Sequence, residues 1–90
     1  MEKEIPNNIQ KLVDKLRTAK EVKRLQDLEK ILNFCGYECI KRNGGSHYIF
    51  RKKEKFNNIS IPKHKPIIQP YIENVIEAFD EYIEILKRSK

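Results

Sequence analysis

The hydrophobic period of this chain changes at Gly36, and that change limits the folds open to it. Before it, Ile9, Leu12, Val13 and Leu16 recur at i, i+3, i+4 and i+7, which places them on one face of a helix. Asn7 or Asn8 stands where a side-chain cap would start that helix. A polar stretch from Thr18 to Arg24 follows. Leu25, Leu28, Ile31, Leu32 and Cys35 then form a second helical stripe, which Gly36 can stop by taking positive φ.

From Tyr37 the chain reads as strand. Tyr37-Glu38-Cys39-Ile40-Lys41-Arg42 is rich in strand formers and runs into Asn43-Gly44, a strong hairpin signal, with Gly45 suited to a bulge. Ser46 to Arg51 is the returning strand. Tyr48 and Phe50 point one way and His47 and Ile49 the other, so both faces carry an apolar group and the pattern leaves open which meets the helices. Phe50 is expected in the core. Asn58-Ile59-Ser60-Ile61 alternates as a third strand with Ile59 and Ile61 inward, and Pro62 ends it or marks an edge. After the Lys63-His64-Lys65-Pro66 loop, Pro70 suits a first helical residue, and Ile72, Val75, Ile76, Phe79, Ile83 and Leu86 give a long apolar stripe.

The resulting order is α-α-β-β-β-α. Short turns favour an antiparallel three-stranded sheet, and such a sheet needs cover, which helices on one face supply. The expected class is α+β. Its 90 residues leave room for one core, so residues 1–90 are read as a single domain. Charged residues make up 36% against a usual share of roughly 25%, consistent with a soluble protein and a small core. No apolar run approaches membrane-spanning length, and Met1-Glu2-Lys3-Glu4 lacks the apolar stretch of a signal peptide, so no membrane association and a cytoplasmic location are expected. Cys35 and Cys39 cannot form a disulfide framework and are read as reduced.

Charge is concentrated in one segment. From Lys41 to Lys65 there are eight basic residues against Glu54, a formal +7, whereas the remaining 11 bases and 12 acids leave −1. Basic excess confined to one stretch creates a field that attracts a polyanion, which makes nucleic acid the leading partner class. The candidate contacts are Lys41, Arg42, Arg51, Lys52, Lys53, Lys63 and Lys65.

Within that segment, Gly44-Gly45-Ser46-His47 is the most suggestive site: glycines admit a close phosphate or backbone, and the strand projects an imidazole beyond them. Alone the pattern is weak, since a strand histidine is more often an ordinary packed or surface residue. An imidazole in its neutral form is a base suited to near-neutral pH. RNA carries its own nucleophile, the 2′-hydroxyl, so a histidine that deprotonates it and cations that hold the phosphate need no metal. His64, in the second basic loop, is either a second proton-transfer group or a phosphate contact. A zinc site is disfavoured, because Cys35 and Cys39 straddle a helix-to-strand break and the histidines complete no zinc spacing. There is no phosphate-binding glycine loop, and no cofactor is expected. Tyr48 is either a base-stacking residue or core.

These residues together resemble a known family. Leu28-Glu29-Lys30-Ile31-Leu32 with Gly36-Tyr37, then Gly45-Ser46-His47-Tyr48-Ile49-Phe50, then Ile59-Ser60-Ile61-Pro62 and His64, is similar to HicA, the toxin of HicA–HicB toxin–antitoxin pairs. The resemblance runs from about Leu25 to Phe79. It implies a double-stranded-RNA-binding-domain-like fold and an mRNA interferase, a small endoribonuclease that halts translation, with the catalytic histidine falling on His47; Ser46, like His64, is a candidate second catalytic or phosphate-contacting residue. It also implies a HicB-type antitoxin that covers the active surface, with operator DNA bound only through that antitoxin. On this basis residues 1–24 are an N-terminal helical extension and residues 25–88 the family core. The helix from Ile5 to Ala19 is an addition to the family pattern. Gly44 stands where a basic residue is common in the family, a departure expected to weaken one phosphate contact and to bear on RNA affinity more than on the fold.

Two rival readings use the same residues. One is a non-catalytic RNA-binding module that recognises duplex shape; the other is a protein-interaction module whose basic face docks an acidic partner.

Overall fold

The computed structural model describes residues 5–41, 45–53 and 57–88. The elements run α1 (Asn7–Thr18), β1 (Glu21–Val22), α2 (Leu25–Phe34), β2 (Glu38–Lys41), β3 (His47–Arg51), β4 (Ile59–Pro62), β5 (Ile67–Ile68) and α3 (Gln69–Arg88). The fold is α+β, with three helices and an antiparallel sheet in the order β2-β3-β4, as a double-stranded-RNA-binding-domain-like arrangement requires.

Helix α1 begins one residue earlier than a capping asparagine would place it. Pro6 occupies the N-cap position with no side-chain cap bond, and its carbonyl accepts from the Gln10 amide at 3.0 Å. The proline ring presets the extended entry, so Asn7 is already helical. Ile9, Val13 and Leu16 are buried in the same cluster as Leu28, Ile31 and Leu32 of α2 and Ile72, Val75 and Phe79 of α3. Burying three such aliphatic side chains is worth about 1.5–3 kcal/mol each. The Arg17–Asp80 ion pair that also joins α1 to α3, at 2.6 Å and 3.2 Å, is half-exposed and contributes on the order of 0–1 kcal/mol. Apolar burial therefore holds α1 in place. The hydrogen bond to Asp80 raises the Arg17 guanidinium above its usual pKa, partly offset by desolvation, so Arg17 stays charged.

Helix α2 ends as its sequence suggests. The amide of Tyr37 donates to the Leu32 carbonyl at 2.9 Å and that of Gly36 to Asn33 at 3.1 Å, with Gly36 at φ +96°. This paired closure satisfies two carbonyls that a helix end would leave bare, and it needs a left-handed residue at position 36. A β-carbon at Gly36 would meet the Lys52 Cε at 3.5 Å, an ordinary contact, so only the backbone resists substitution. Gly36→Ala is expected to lower unfolding stability by about 1–2 kcal/mol, read as a reduced denaturant midpoint at unchanged slope. An unchanged midpoint would mean that the helix end relaxes at no cost.

The sheet resolves the face ambiguity of β3. Register pairs Tyr48 with Ile61, Phe50 with Ile59 and Cys39 with Phe50, so these residues share the inner face, and Phe50 and Ile61 are fully buried. His47, Ile49 and Arg51 alternate onto the outer face. Ile59 and Ile61 point inward as the alternation indicates. Cys35 is buried and Cys39 half-buried, and neither is in a disulfide.

Two features depart from the sequence reading. The register shifts between Cys39 and Lys41, so the irregularity in this hairpin is at Ile40 on β2, whereas Gly45 takes φ +71° just before β3. The stretch from Thr18 to Arg24 is not merely polar linker: Glu21 and Val22 pair antiparallel with Ile68 and Ile67, giving a second, two-stranded sheet. The Asn43-Gly44 turn lies outside the described residues. No helix among the described residues is long and apolar enough to cross a membrane.

Candidate functional site

His47 opens β3, the central strand. Its partner across the ladder is Pro62, and the ladder continues one step further, where the Lys63 amide donates to the Ser46 carbonyl at 2.9 Å. This bond brings the Lys63–Pro66 loop to the same end of the sheet as His47, with His64 two residues beyond the partner of His47. Among the described residues no hydrogen bond joins the two imidazoles. His47 is half-buried and His64 exposed.

Ser46 Oγ lies 2.9 Å from Nδ1 of His47. The hydroxyl accepts from Nδ1–H in one tautomer and donates to bare Nδ1 in the other. Either way the contact orients the ring and leaves Nε2 free for a ligand. Ser46 is exposed, so a substrate can reach the pair.

The cations singled out from sequence do not form one patch. Arg51 is exposed and lies on the outer face with His47, four residues along the strand or roughly 13 Å away. The Lys41 backbone pairs with Ile49, a register position between the two on that face. Lys53 is exposed in the turn after β3, and Lys65 is exposed in the His64 loop. Lys63 sets its ammonium 5.2 Å from the Tyr48 ring centroid, at the rim of the inner face. Lys52 lies between helices and sheet, 4.8 Å from the Tyr82 ring and 5.8 Å from that of Tyr37. Such contacts are worth about 0.5–2 kcal/mol and hold the end of β3 against α3. Arg42 lies outside the described residues.

Parity explains the split. Lys52 and Lys63 follow the inner-facing positions of their strands, whereas His47 and Arg51 follow the outer ones, a distinction invisible while the inner face is unassigned. Sequence reading also passed over Ile40. The irregularity between Cys39 and Lys41 leaves it 51% exposed, in one groove with Arg51. A strand of apolar and charged residues carries no signal for a bulge at that position. Among the described residues no three His, Cys, Asp or Glu side chains gather as metal ligands would.

A family model described as the HicA toxin of bacterial toxin–antitoxin systems matches residues 25–87, which spans α2 through almost all of α3 and includes His47, Ser46 and His64. No curated protein and no solved structure matches the chain. The matched segment covers well over half of the sequence and contains the whole three-stranded sheet with the two helices that follow the family order, while α1 and β1 precede it. The chain belongs to the HicA family and is a toxin of the bacterial toxin–antitoxin type.

Proposed function

We propose that this toxin is an endoribonuclease that binds and cuts mRNA in the cytoplasm, with His47 as general base and no metal in the chemical step. The observation that carries the reading is the 2.9 Å contact between Ser46 Oγ and His47 Nδ1 at the outer face of the sheet. When Ser46 accepts from Nδ1–H, the Nε2 lone pair faces outward to take a proton. His47 then removes the proton of a ribose 2′-hydroxyl, the O2′–phosphorus bond forms, and the phosphorus–O5′ bond breaks. The leaving oxygen takes up a proton, from solvent or from His64. The products are a 2′,3′-cyclic phosphate and a 5′-hydroxyl. Lys41, Arg42, Arg51, Lys52, Lys53, Lys63 and Lys65 supply the positive charge that attracts the strand and offsets charge developing on the phosphate.

Family membership supports a nuclease of this kind and a dedicated antitoxin. A HicB-type antitoxin covers the outer face of the sheet, which no helix among the described residues packs against, and contacts operator DNA on the toxin's behalf. Residues 1–90 act as one domain, with residues 1–24 an extension on the 25–88 core: α1 shares the core cluster, and β1 pairs with β5 next to the His64 loop.

Purified protein is expected to cut a defined single-stranded RNA in excess EDTA and to leave cyclic phosphate ends. Ends bearing 3′-hydroxyl from the first cut would rule out attack by the 2′-oxygen. Cleavage restored only by added divalent cation would assign the chemistry to a metal.

A further inference from the structure

The register shift at Ile40 exposes an apolar group at the β2 edge of the sheet that the proposed proton transfer does not use. Ile40 is 51% exposed, and it lines a groove of about 520 Å³ where the β2 edge of the sheet meets the end of α2 and α3, together with Gly36, Glu38, Arg51, Lys52, Lys53 and Tyr82. Three cations against one carboxylate make this groove electropositive. Arg51 is exposed, with Glu38 opposite it in register, and its planar guanidinium can present a fork to a phosphate. An exposed aliphatic surface ringed by cations suits a nucleotide, whose base packs on apolar or aromatic side chains while its phosphate takes the fork of an arginine.

The groove lies at the opposite end of β3 from His47. Arg51 and His47 share a face and lie four positions apart along the strand, roughly 13 Å, with the Ile49–Lys41 pair between them. We infer that the groove is a second nucleotide subsite, in which Ile40 receives a base and Arg51 with Lys53 a phosphate of a residue displaced along the RNA strand from the scissile bond. This inference rests on the ribonuclease reading. It makes the substrate a single strand long enough to reach from His47 across the outer face to the Ile40 bulge. Arg51 is a binding residue there, and Lys52, held against Tyr82 and Tyr37, shapes the groove wall.

The test compares wild type, Ile40→Ser and Arg51→Gln on a dinucleotide and on an oligomer of about ten nucleotides, a length within the site sizes of small single-strand-binding folds. Both side chains are exposed, and circular dichroism with thermal melting checks that the variants fold. Each variant is expected to lower kcat/KM on the oligomer by roughly tenfold or more, and to do so at least several-fold more than on the dinucleotide, within the range measured for lost base stacking. The Ile40→Ser loss should persist at high salt, whereas the Arg51→Gln loss should shrink as salt screens the phosphate contact. Equal losses on both lengths, or none on the oligomer, would overturn the subsite. If wild type cuts neither RNA, the ribonuclease reading fails by itself. The subsite is then decided by oligomer binding alone: weaker binding to Ile40→Ser and Arg51→Gln retains it, and unchanged binding removes it. Preference of the groove for an acidic peptide over the oligomer would likewise overturn it.

Discussion

His47→Ala is expected to reduce RNA cleavage by about 10²–10⁴-fold, the usual contribution of a positioned general base, while RNA binding stays within a few-fold of wild type. The reason is local. The imidazole is the proton acceptor held outward by Ser46 Oγ at 2.9 Å, whereas the strand carrying it is fixed by ladder pairing to Pro62 and by the Lys63–Ser46 backbone bond. Removing the ring leaves the ladder intact. Single-turnover cleavage and equilibrium binding, measured on the same RNA, separate the two effects. Cleavage that survives in the variant would move the base role elsewhere, with His64 the nearest candidate along the ladder. Intact RNA with both proteins, despite confirmed folding and binding, would instead establish the non-catalytic RNA-binding module.

Phe50→Ala should have the largest effect on stability. Phe50 is fully buried on the central strand, pairs with Ile59 and Cys39, and faces the helices from directly behind the outer face that carries Ile49 and Arg51. Phenylalanine-to-alanine changes in cores remove about 3–5 kcal/mol through lost burial and the remaining cavity. A domain of this size is stabilised by roughly 5–13 kcal/mol in total, so the variant should lose a large share of its stability or fail to fold at 37 °C. Urea unfolding followed by circular dichroism checks this. A loss below about 1.5 kcal/mol would show that the helices close over the gap. The Ile49 side of the same strand, which is only half-buried, should tolerate alanine far better.

The contrast between Phe50 and Ile49 marks where sequence reading stops. Alternation on β3 places Tyr48 and Phe50 opposite His47 and Ile49, but with an apolar residue on each side parity cannot select the inner face. Packing selects it, because Ile59, Ile61 and Cys39 line up with Tyr48 and Phe50 across the ladder and the helices cover that set. Once the face is chosen, the cations divide: Arg51 goes with His47, and Lys52 and Lys63 turn toward tyrosine rings. A charge count along the chain treats them alike.

Short-range rules did determine much. Helical stripes of Leu, Ile and Val, the left-handed Gly36, the alternation of Ile59 and Ile61, and the Gly45-Ser46-His47 run specify the order of the three helices and of the three strands β2, β3 and β4, the end of α2 and the candidate histidine, because each depends on neighbours within a turn or a few residues. The two-residue strands β1 and β5 show no period of their own and exist only because the fold brings Val22 beside Ile67. The bulge that exposes Ile40 beside Arg51 likewise arises from pairing between strands. What the chain could state locally was its helices, its strands and its imidazole; which face is inside, which lysines remain on the surface and how far the basic face extends from His47 were decided by contacts between residues distant in sequence, where burial outweighs local preference.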